Sequence, residues 1–394
     1  MLERFLHRLV CRGTLNVRWP GGGETIFGDG GEPRAGIHYA TVETIQRVVR
    51  NPGLGFGESY MDGAIATVDC DIRDVLAVLT LNQAQAARQA SERERLRRTR
   101  ERVVVQANTP ECARRNVAHH YDLDGRLYSL FLDEDRQYSC AYFPTGTETL
   151  EQAQAAKKRH IALKLKLDRP GLKVLDIGCG WGGMALTLAR DYGAEVTGIT
   201  LSEEQLHAAR ERAERLGLAG RVRFELLDYR AITERYDRVV SVGMFEHVGR
   251  GQDDAFFAAL DNCLDGAGVA LLHTIGRSGG PAVTNPWLEK YIFPGGYAPA
   301  LSEVLPSIEA SGLIATDIEV WRLHYARTLE LWRQRFDSHA SEIEALYDKR
   351  FLRMFEFYLA GSEMVFRYGD EVVFQIQLAK RNDLLPTSRN YMIG

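Results

Sequence analysis

"LDIGCGWGG" (Leu175–Gly183) decides the fold. An apolar run ends in three alternate glycines, Gly178, Gly180 and Gly182. The chain then takes helical spacing through "GMALTLARDYG" and is closed by Gly193. A strand that runs into glycines and opens a helix begins a βαβ unit, and the glycines let the backbone come close to a ligand. Working outward, "AEVTGITL" reads as the second strand. "SEEQLHAARERAERLG" reads as the second helix, with Ser202 as N-cap and Gln205 at N3 forming a capping-box pair. "RVRFELLD", "YDRVVSVGM" and "GVALLHTIG" are the third to fifth strands. This alternation predicts a doubly wound, mostly parallel α/β sheet with helices on both faces. Ligands of such a sheet sit at the carboxyl ends of its strands. "SVGMFEHVG" (Ser241–Gly249) puts two ionisable groups, Glu246 and His247, at one of those ends.

The chain has 394 residues, 45% apolar and 26% charged, which is globular composition with room for more than one domain. We expect a small α+β N-terminal module over residues 1–83, an Arg-rich linker helix over 84–104 and a catalytic domain over 105–394. The linker has six Arg against three Glu between Ser91 and Arg102; it is either a solvated helix or an arm that touches lipid phosphates. Net charge is −4, so nothing draws the whole chain to nucleic acid. Residues 1–110 hold 15 Arg against 13 acids, so contact with an anionic surface needs a local patch. The six cysteines are dispersed, with no CxxC pair and no zinc spacing, so a reduced cytoplasmic protein without a metal site is expected. No apolar run reaches the roughly 18 residues of a membrane span. The N-terminus lacks the uninterrupted apolar core of a signal peptide.

As a dinucleotide fingerprint the glycine loop is imperfect. The following strand ends at Thr200, where a ribose-binding acid would be expected. The Asp-x-Gly-x-Gly form beginning at Asp176 resembles the first motif of the S-adenosylmethionine-dependent methyltransferases. On that resemblance, Asp228 and Tyr229 are placed for the adenine, as acceptor and stacking ring, although Asp228 would also serve as a helix N-cap. Thr200 and Gln205 are the nearest polar groups for the ribose.

Several segments together resemble the cyclopropane-fatty-acyl-phospholipid synthases, kin to the mycolic acid cyclopropane synthases. They are "HHYDLDGRLYSLFLDEDRQYSCAYF" (His119–Phe143), "VLDIGCGWGG", "GITLSEEQ", "SVGMFEHVG", "LLHTIG", "KYIFPGGYAPALSE" (Lys290–Glu303) and "HYARTLELWRQRF" (His324–Phe336). The resemblance covers about residues 105–380, and the N-terminal block looks like the family's lipid-binding extension. It implies methyl transfer from S-adenosylmethionine to a cis double bond of a phospholipid acyl chain, followed by closure of a cyclopropane ring. It also implies a bicarbonate base held by the Cys140 backbone, Glu246, His273, the Ile275 backbone and Tyr325. The cofactor site would take Tyr138, Ser139, Asp176, the loop Gly178–Gly180–Gly182, Thr200, Leu201, Gln205, Asp228 and Tyr229. Further implications are a phospholipid bilayer as partner, peripheral association with the inner face of the membrane and a homodimer. Ser362 stands where some family members have Cys, so no thiol can be essential there.

The chemistry fits such a residue set. An alkene has no proton to remove before attack. Methylation leaves a carbocation, and closure needs a proton off the new methyl. A base that cannot trap the cation, held by fixed donors, meets that need. Glu246 beside an anion is a like-charge conflict, which vanishes if Glu246 accepts the bicarbonate hydroxyl. Blander roles compete: His247 as a loop-ordering residue, His273 as a core histidine, Tyr325 as part of a helix stripe with Leu329 and Trp332, "WLEKYIFPGG" as a packed loop. A rival outcome is a methyl-branched, unsaturated chain formed by loss of a different proton.

Overall fold

The computed structural model describes residues 1–89, 109, 111–113 and 125–393, which fall into two compact units. The larger is built around β5 (Lys173–Ile177), which pairs in parallel with β6 (Glu195–Thr200) on one side and β8 (Tyr236–Val242) on the other. β7 (Val222–Leu226) pairs in parallel with β6, and β9 (Leu264–Arg277) with β8. With β10 (Ile314–Trp321) and β11 (Glu371–Ala379) added at the β9 edge, the seven-stranded order is β10-β11-β9-β8-β5-β6-β7. The chain therefore winds outward from β5 in both directions, and the glycine loop after β5 lies at the switch point, where a crevice opens.

Successive residues of the central strands enter opposite cores. Val174, Val240 and Leu271 join Ile161 of the helix Leu150–Lys164 and Ala185 and Leu188 of the helix Gly183–Tyr192. Leu175, Val239 and Leu272 join Phe256 and Phe257 of the helix Asp253–Cys263 and Val304 and Ile308 of the helix Leu301–Ser311. Burial on both faces is what a parallel sheet with helices on each side requires. Gly182 shows how tightly the first helix sits. Its φ is +82°, and a Cβ there would come within 2.7 Å of the Phe224 ring, so only glycine fits.

The five strands and two helices read from the sequence are present, and Gly193 closes the first helix in a left-handed conformation. The expected capping box at Ser202 is half formed. Ser202 accepts from the Gln205 N–H at 3.2 Å, but the Gln205 side chain turns to Thr200 Oγ1 at 3.0 Å. Two strands are additional: β10 (Ile314–Trp321) and β11 (Glu371–Ala379), which pair antiparallel. β11 buries Gln375 and Gln377 completely, and these polar residues mask an otherwise apolar strand.

The smaller unit holds a four-stranded sheet, order β2-β1-β3-β4, from β1 (Thr14–Arg18), β2 (Glu24–Gly28), β3 (Arg34–Tyr39) and β4 (Ile65–Thr67). The N-terminal block is thus α+β as expected, but its boundary differs from the expected 1–83. Of the described residues the unit comprises 1–89, Thr284–Phe293 and Tyr325–Glu371, so 105–394 is not one compact piece. The physical reason lies in the helix Lys349–Tyr368, which packs along the helix Ile72–Gln89 and places Ala360 and Met364 in one core with Leu15, Val17, Ile37, Val75 and Val78. The expected linker helix 84–104 begins inside Ile72–Gln89; its Arg-rich remainder lies outside the described residues.

Glu363, on the same helix, is fully buried and serves as the polar tie of this unit. Its carboxylate accepts from Arg73 Nε (3.2 Å), Arg333 Nε (3.2 Å) and Arg367 (3.1 Å). Removing a buried ion is costly because it strands its partners. Here the arginines are partly exposed and hold other carboxylates, so Glu363→Ala should cost about 2–3 kcal/mol, below the usual range for breaking a buried pair. Urea unfolding checks this; a loss under about 0.5 kcal/mol, within the range of an exposed pair, would show that the arginines simply re-pair.

Candidate active site

The glycine loop floors a cleft at the carboxyl edge of the sheet, with about 1040 Å³ of empty space including its open mouth. Ten of the eleven expected cofactor residues line it: Tyr138, Ser139, Asp176, Gly178, Gly180, Thr200, Leu201, Gln205, Asp228 and Tyr229. Gly182 does not; it sits beneath the loop against Phe224 as the helix N-cap. Gly178 belongs to the cleft for a steric reason. Its φ is +80°, and a Cβ there would lie 2.6 Å from the Met244 Cβ.

Asp176 ends β5 with its carboxylate enclosed. Burial lifts its pKa to about 7, against a backbone N–H from Ala185 that pulls it down, and its Oδ2 has no hydrogen-bond partner. An unpartnered buried carboxylate at the wall of a cleft fits a ligand that brings a positive charge or a donor, as the amino-acid end of S-adenosylmethionine would. Asp228 is the helix N-cap that the sequence also allowed, and it lies in the cleft. It caps the short helix Tyr229–Ala231 by accepting from the Arg230 N–H at 3.0 Å and binds the Arg230 guanidinium at 2.8 and 2.7 Å while facing the cleft. Tyr229 packs edge-to-face on Phe256 at 5.4 Å. Cys179 is buried with its pKa raised well above the ordinary value, a packing residue in the loop.

The second cluster lies at the ends of β8 and β9. Gly243 N–H donates to the His273 carbonyl at 2.9 Å, and Ile275 N–H donates to Glu246 Oε1 at 2.6 Å. The turn carrying Glu246 is thereby laced to the strand carrying His273. The Ile275 N–H, expected to face an anion, donates to Glu246 in this structure. Glu246 Oε2 is buried without a partner, and burial pushes the acid to about 7. His273 is buried, with its pKa well below the ordinary value. Gln375 Nε2 lies 3.0 Å from its Nδ1. An amide nitrogen can only donate, so Nδ1 accepts and Nε2 carries the proton of the neutral ring. His247 lines the cleft, and burial pushes its pKa down to about 4.

Cys140 is fully buried in the turn that also carries Tyr138 and Ser139. That turn closes on the second cluster: a Cβ on Gly243 would lie 3.7 Å from the Ser139 Cβ. Further along, Tyr142 stacks on Trp321 at 4.8 Å, and Trp321 meets the His273 ring edge-on at 5.1 Å. Tyr325 belongs to the smaller unit, where its ring packs against Phe366 (4.7 Å) and Trp332 (5.8 Å), so the helix stripe read in the sequence is real. The "WLEKYIFPGG" segment begins as a packed helix, Pro286–Tyr291, with Trp287 buried on Met61 and Lys290 paired to Glu58 at 2.7 Å. Sequence reasoning missed Gln137, Trp181 and Met244 in the cleft, Lys157 behind it and Gln375 behind His273. Only Trp181, inside the glycine loop, carried a signal. Among the described residues no group of three His, Cys, Asp or Glu could hold a metal ion, and the six cysteines form no disulfide.

Fold and cleft define a class I S-adenosylmethionine-dependent methyltransferase. Residues 108–376 match the family described as mycolic acid cyclopropane synthetase, and residues 1–91 match a domain of unknown function, DUF7884. The chain belongs to the mycolic acid cyclopropane synthetase family. It is 38% identical over 353 residues to the cyclopropane-fatty-acyl-phospholipid synthase of Escherichia coli K12, covering 89% of each chain. It is 35% identical over 392 residues to the tuberculostearic acid methyltransferase UfaA1 of Mycobacterium tuberculosis, covering 96% of this chain and 90% of that one. The solved structure of mycolic acid cyclopropane synthase CmaA1 complexed with SAH and CTAB superposes with a TM-score of 0.64 at 33% identity, covering 67% of this chain and 97% of that one.

If Asp176 holds the cofactor as expected, it should make cofactor affinity depend on pH. In the free protein it is protonated below about 7, and a cationic ligand needs the carboxylate, so binding releases a proton there. Affinity for S-adenosylmethionine should be flat above pH 7 and fall up to about tenfold per unit below it. Asp176→Asn should bind more weakly at pH 7.5 and lose that slope. Calorimetry from pH 5.5 to 8 reads both, and an unchanged slope in the variant would assign the titration to another group.

Proposed function

We propose that the enzyme transfers the methyl of S-adenosylmethionine to a cis double bond of a phospholipid acyl chain and closes a cyclopropane ring, with bicarbonate as the base. The observation that carries this reading is the Glu246 carboxylate, fixed at one oxygen by the Ile275 N–H and left buried and unpartnered at the other. When bound, the cofactor supplies an electrophilic methyl and bicarbonate a small base that does not need to bond to the substrate cation. The chain's own part is orientation. Glu246 Oε2 is an acceptor waiting for an O–H, and the neutral His273 is a donor at Nε2. These are the two complementary contacts that would hold a hydroxyl-bearing anion with its charged face turned outward. Cys140, the Ile275 backbone and Tyr325 remain assigned to the same anion. For Ile275 this requires its N–H to be shared with, or exchanged from, Glu246.

Dry surroundings suit the chemistry. Water near the cation would add to it, and the apolar shell that raises the Glu246 and Asp176 pKa values also excludes water. Among the described residues no helix is long and apolar enough to cross a membrane. The proposed reaction has the enzyme work at the inner face of the membrane, with the N-terminal module as its lipid-binding part and a homodimer as the working form. Withdrawing about ten carbons from a bilayer forfeits about 8 kcal/mol unless apolar contacts replace it, which calls for an enclosed channel. The match to UfaA1, named a methyltransferase and spanning 96% of this chain, supports a second outcome: methyl transfer to the lipid without ring closure.

Vesicles of cis-monounsaturated phospholipid, bicarbonate and cofactor with a fully deuterated methyl separate the two outcomes. Two deuterons in the added carbon, read by mass spectrometry of the released fatty acids, in a product that resists mild catalytic hydrogenation mean that the methyl lost a deuteron and closed a ring, which is the expected result; two deuterons in a product that takes up hydrogen mean an exocyclic methylene instead. Three retained deuterons mean methylation without cyclisation. Glu246→Gln should lower product formation by at least about 100-fold while leaving S-adenosylhomocysteine affinity within about twofold, a change worth under half a kcal/mol. Full turnover with unchanged bicarbonate dependence would remove Glu246 from the anion site.

A further inference from the structure

Lys157 is fully buried in the helix Leu150–Lys164, directly behind the cleft. Its ammonium donates to Ser139 Oγ and to Gln137 Oε1, each at 2.8 Å. Among the described residues no carboxylate lies within ion-pair distance of it, although its neighbour Lys158 pairs with Asp135. A buried ammonium held only by neutral oxygens is costly to keep. The charged groups that face it are Asp133 and Asp135 from the preceding turn, Lys158 on its own helix, Cys140, Asp176 at the end of β5 and His273 on β9. It thus stands between the two clusters of the site.

The geometry also fixes proton directions. An ammonium has no lone pair, so Ser139 Oγ and Gln137 Oε1 must accept from it. The Ser139 carbonyl is engaged separately, by Gln154 Nε2 at 2.9 Å. The Ser139 hydroxyl hydrogen is thereby turned away from Lys157, and Ser139 lines the cleft. We propose that Lys157 is a positioning residue that fixes Ser139 as a hydrogen-bond donor into the cleft and sets a positive charge behind it, so that this part of the wall binds a carboxylate-type anion. The anion comes either from the amino-acid end of the cofactor or from the small base of the reaction. The inference rests on the cofactor reading of the cleft and not on which lipid product forms.

Burial pushes the Lys157 pKa down to about 8, so its proton is present at pH 7 and lost through the mildly alkaline range. Neutral Lys157 can accept from Ser139, and the donor then turns inward. The test uses the full-length protein and calorimetry with S-adenosylhomocysteine, which keeps the carboxylate. Ser139→Ala should raise Kd about tenfold at pH 7, and the ratio of variant to wild-type Kd should fall toward one at pH 9.5. Taking the ratio cancels the ligand's own titration. Lys157→Met should weaken binding similarly at pH 7, and the double variant should be no weaker than the worse single. If S-adenosylhomocysteine affinity is unmoved and the apparent KM for bicarbonate rises about tenfold in both single variants, the anion is the small base. The proposal is overturned if the Ser139→Ala variant moves neither quantity. It is also overturned if the Kd or KM ratio is the same at pH 7 and 9.5. Ser139→Ala removes a single oxygen, so it serves even if Lys157→Met fails to fold. Loss of lipid product with these binding results intact would fault the lipid reading and leave this one standing.

Discussion

Burial of β5 on both faces is the constraint from which the site follows. A strand covered by helices on each side has only its carboxyl end open to a ligand, and polar groups placed there are desolvated by the same shell that makes the sheet stable. Asp176 leaves the sheet as the last polar residue of β5, and Glu246 hangs from the turn after β8, the strand paired beside it. Both carboxylates therefore arrive with one oxygen satisfied by a backbone N–H and the other unpartnered. Their poise near neutrality follows from the architecture before any ligand is considered.

A second tier of polar groups makes that arrangement tolerable. Gln154, Lys157 and Lys164 of one helix and Gln375 and Gln377 of β11 are buried, and several of them reach functional segments rather than water. Gln154 and Lys157 hold the turn at Gln137–Ser139, and Gln375 sets the His273 tautomer. Asp133 accepts from the Gln137 N–H at 2.8 Å and from the Asp135 N–H at 3.2 Å, which fixes that turn from its own side. Such groups specify one geometry because alternatives would strand an amide N–H or an ammonium, although the Gln154 and Gln375 Oε1 atoms stay buried without a partner.

This tier explains what was legible in the sequence and what was not. The five central strands could be read because they are largely apolar runs alternating with helical spacing, and the cofactor loop because Gly178 and Gly182 combine positive φ with contacts that leave no room for a Cβ. β11 could not, since Gln375 and Gln377 look like surface residues and are placed inward by partners far away in sequence. The helix Leu150–Lys164 is not singled out in the sequence: its lysines are typical of an exposed face, yet Lys157 and Lys164 are almost completely enclosed. The domain boundary was hidden because the segment that completes the N-terminal core, Lys349–Tyr368, follows it by hundreds of residues. Glycine geometry is local and survives in sequence, whereas the sign of a buried polar residue is set by its partner.

The two carboxylates share one cause for their shift and are suited to opposite partners. Asp176 opens into the end of the cleft floored by the glycine loop, where a cationic ligand would take its proton's place and hold it ionised. Glu246 is tied to β9 at Ile275, two residues beyond the neutral His273, and in the proposed reaction it would meet a hydroxyl rather than a cation. An alkene substrate, as proposed, would call for this division. Its reaction begins with an electrophile and ends with loss of a proton, so the charge to be managed is positive throughout and moves away from the cofactor. A site with its acid groups at both ends of that path, each dry and each near neutrality, can follow the charge without offering a nucleophile in its middle.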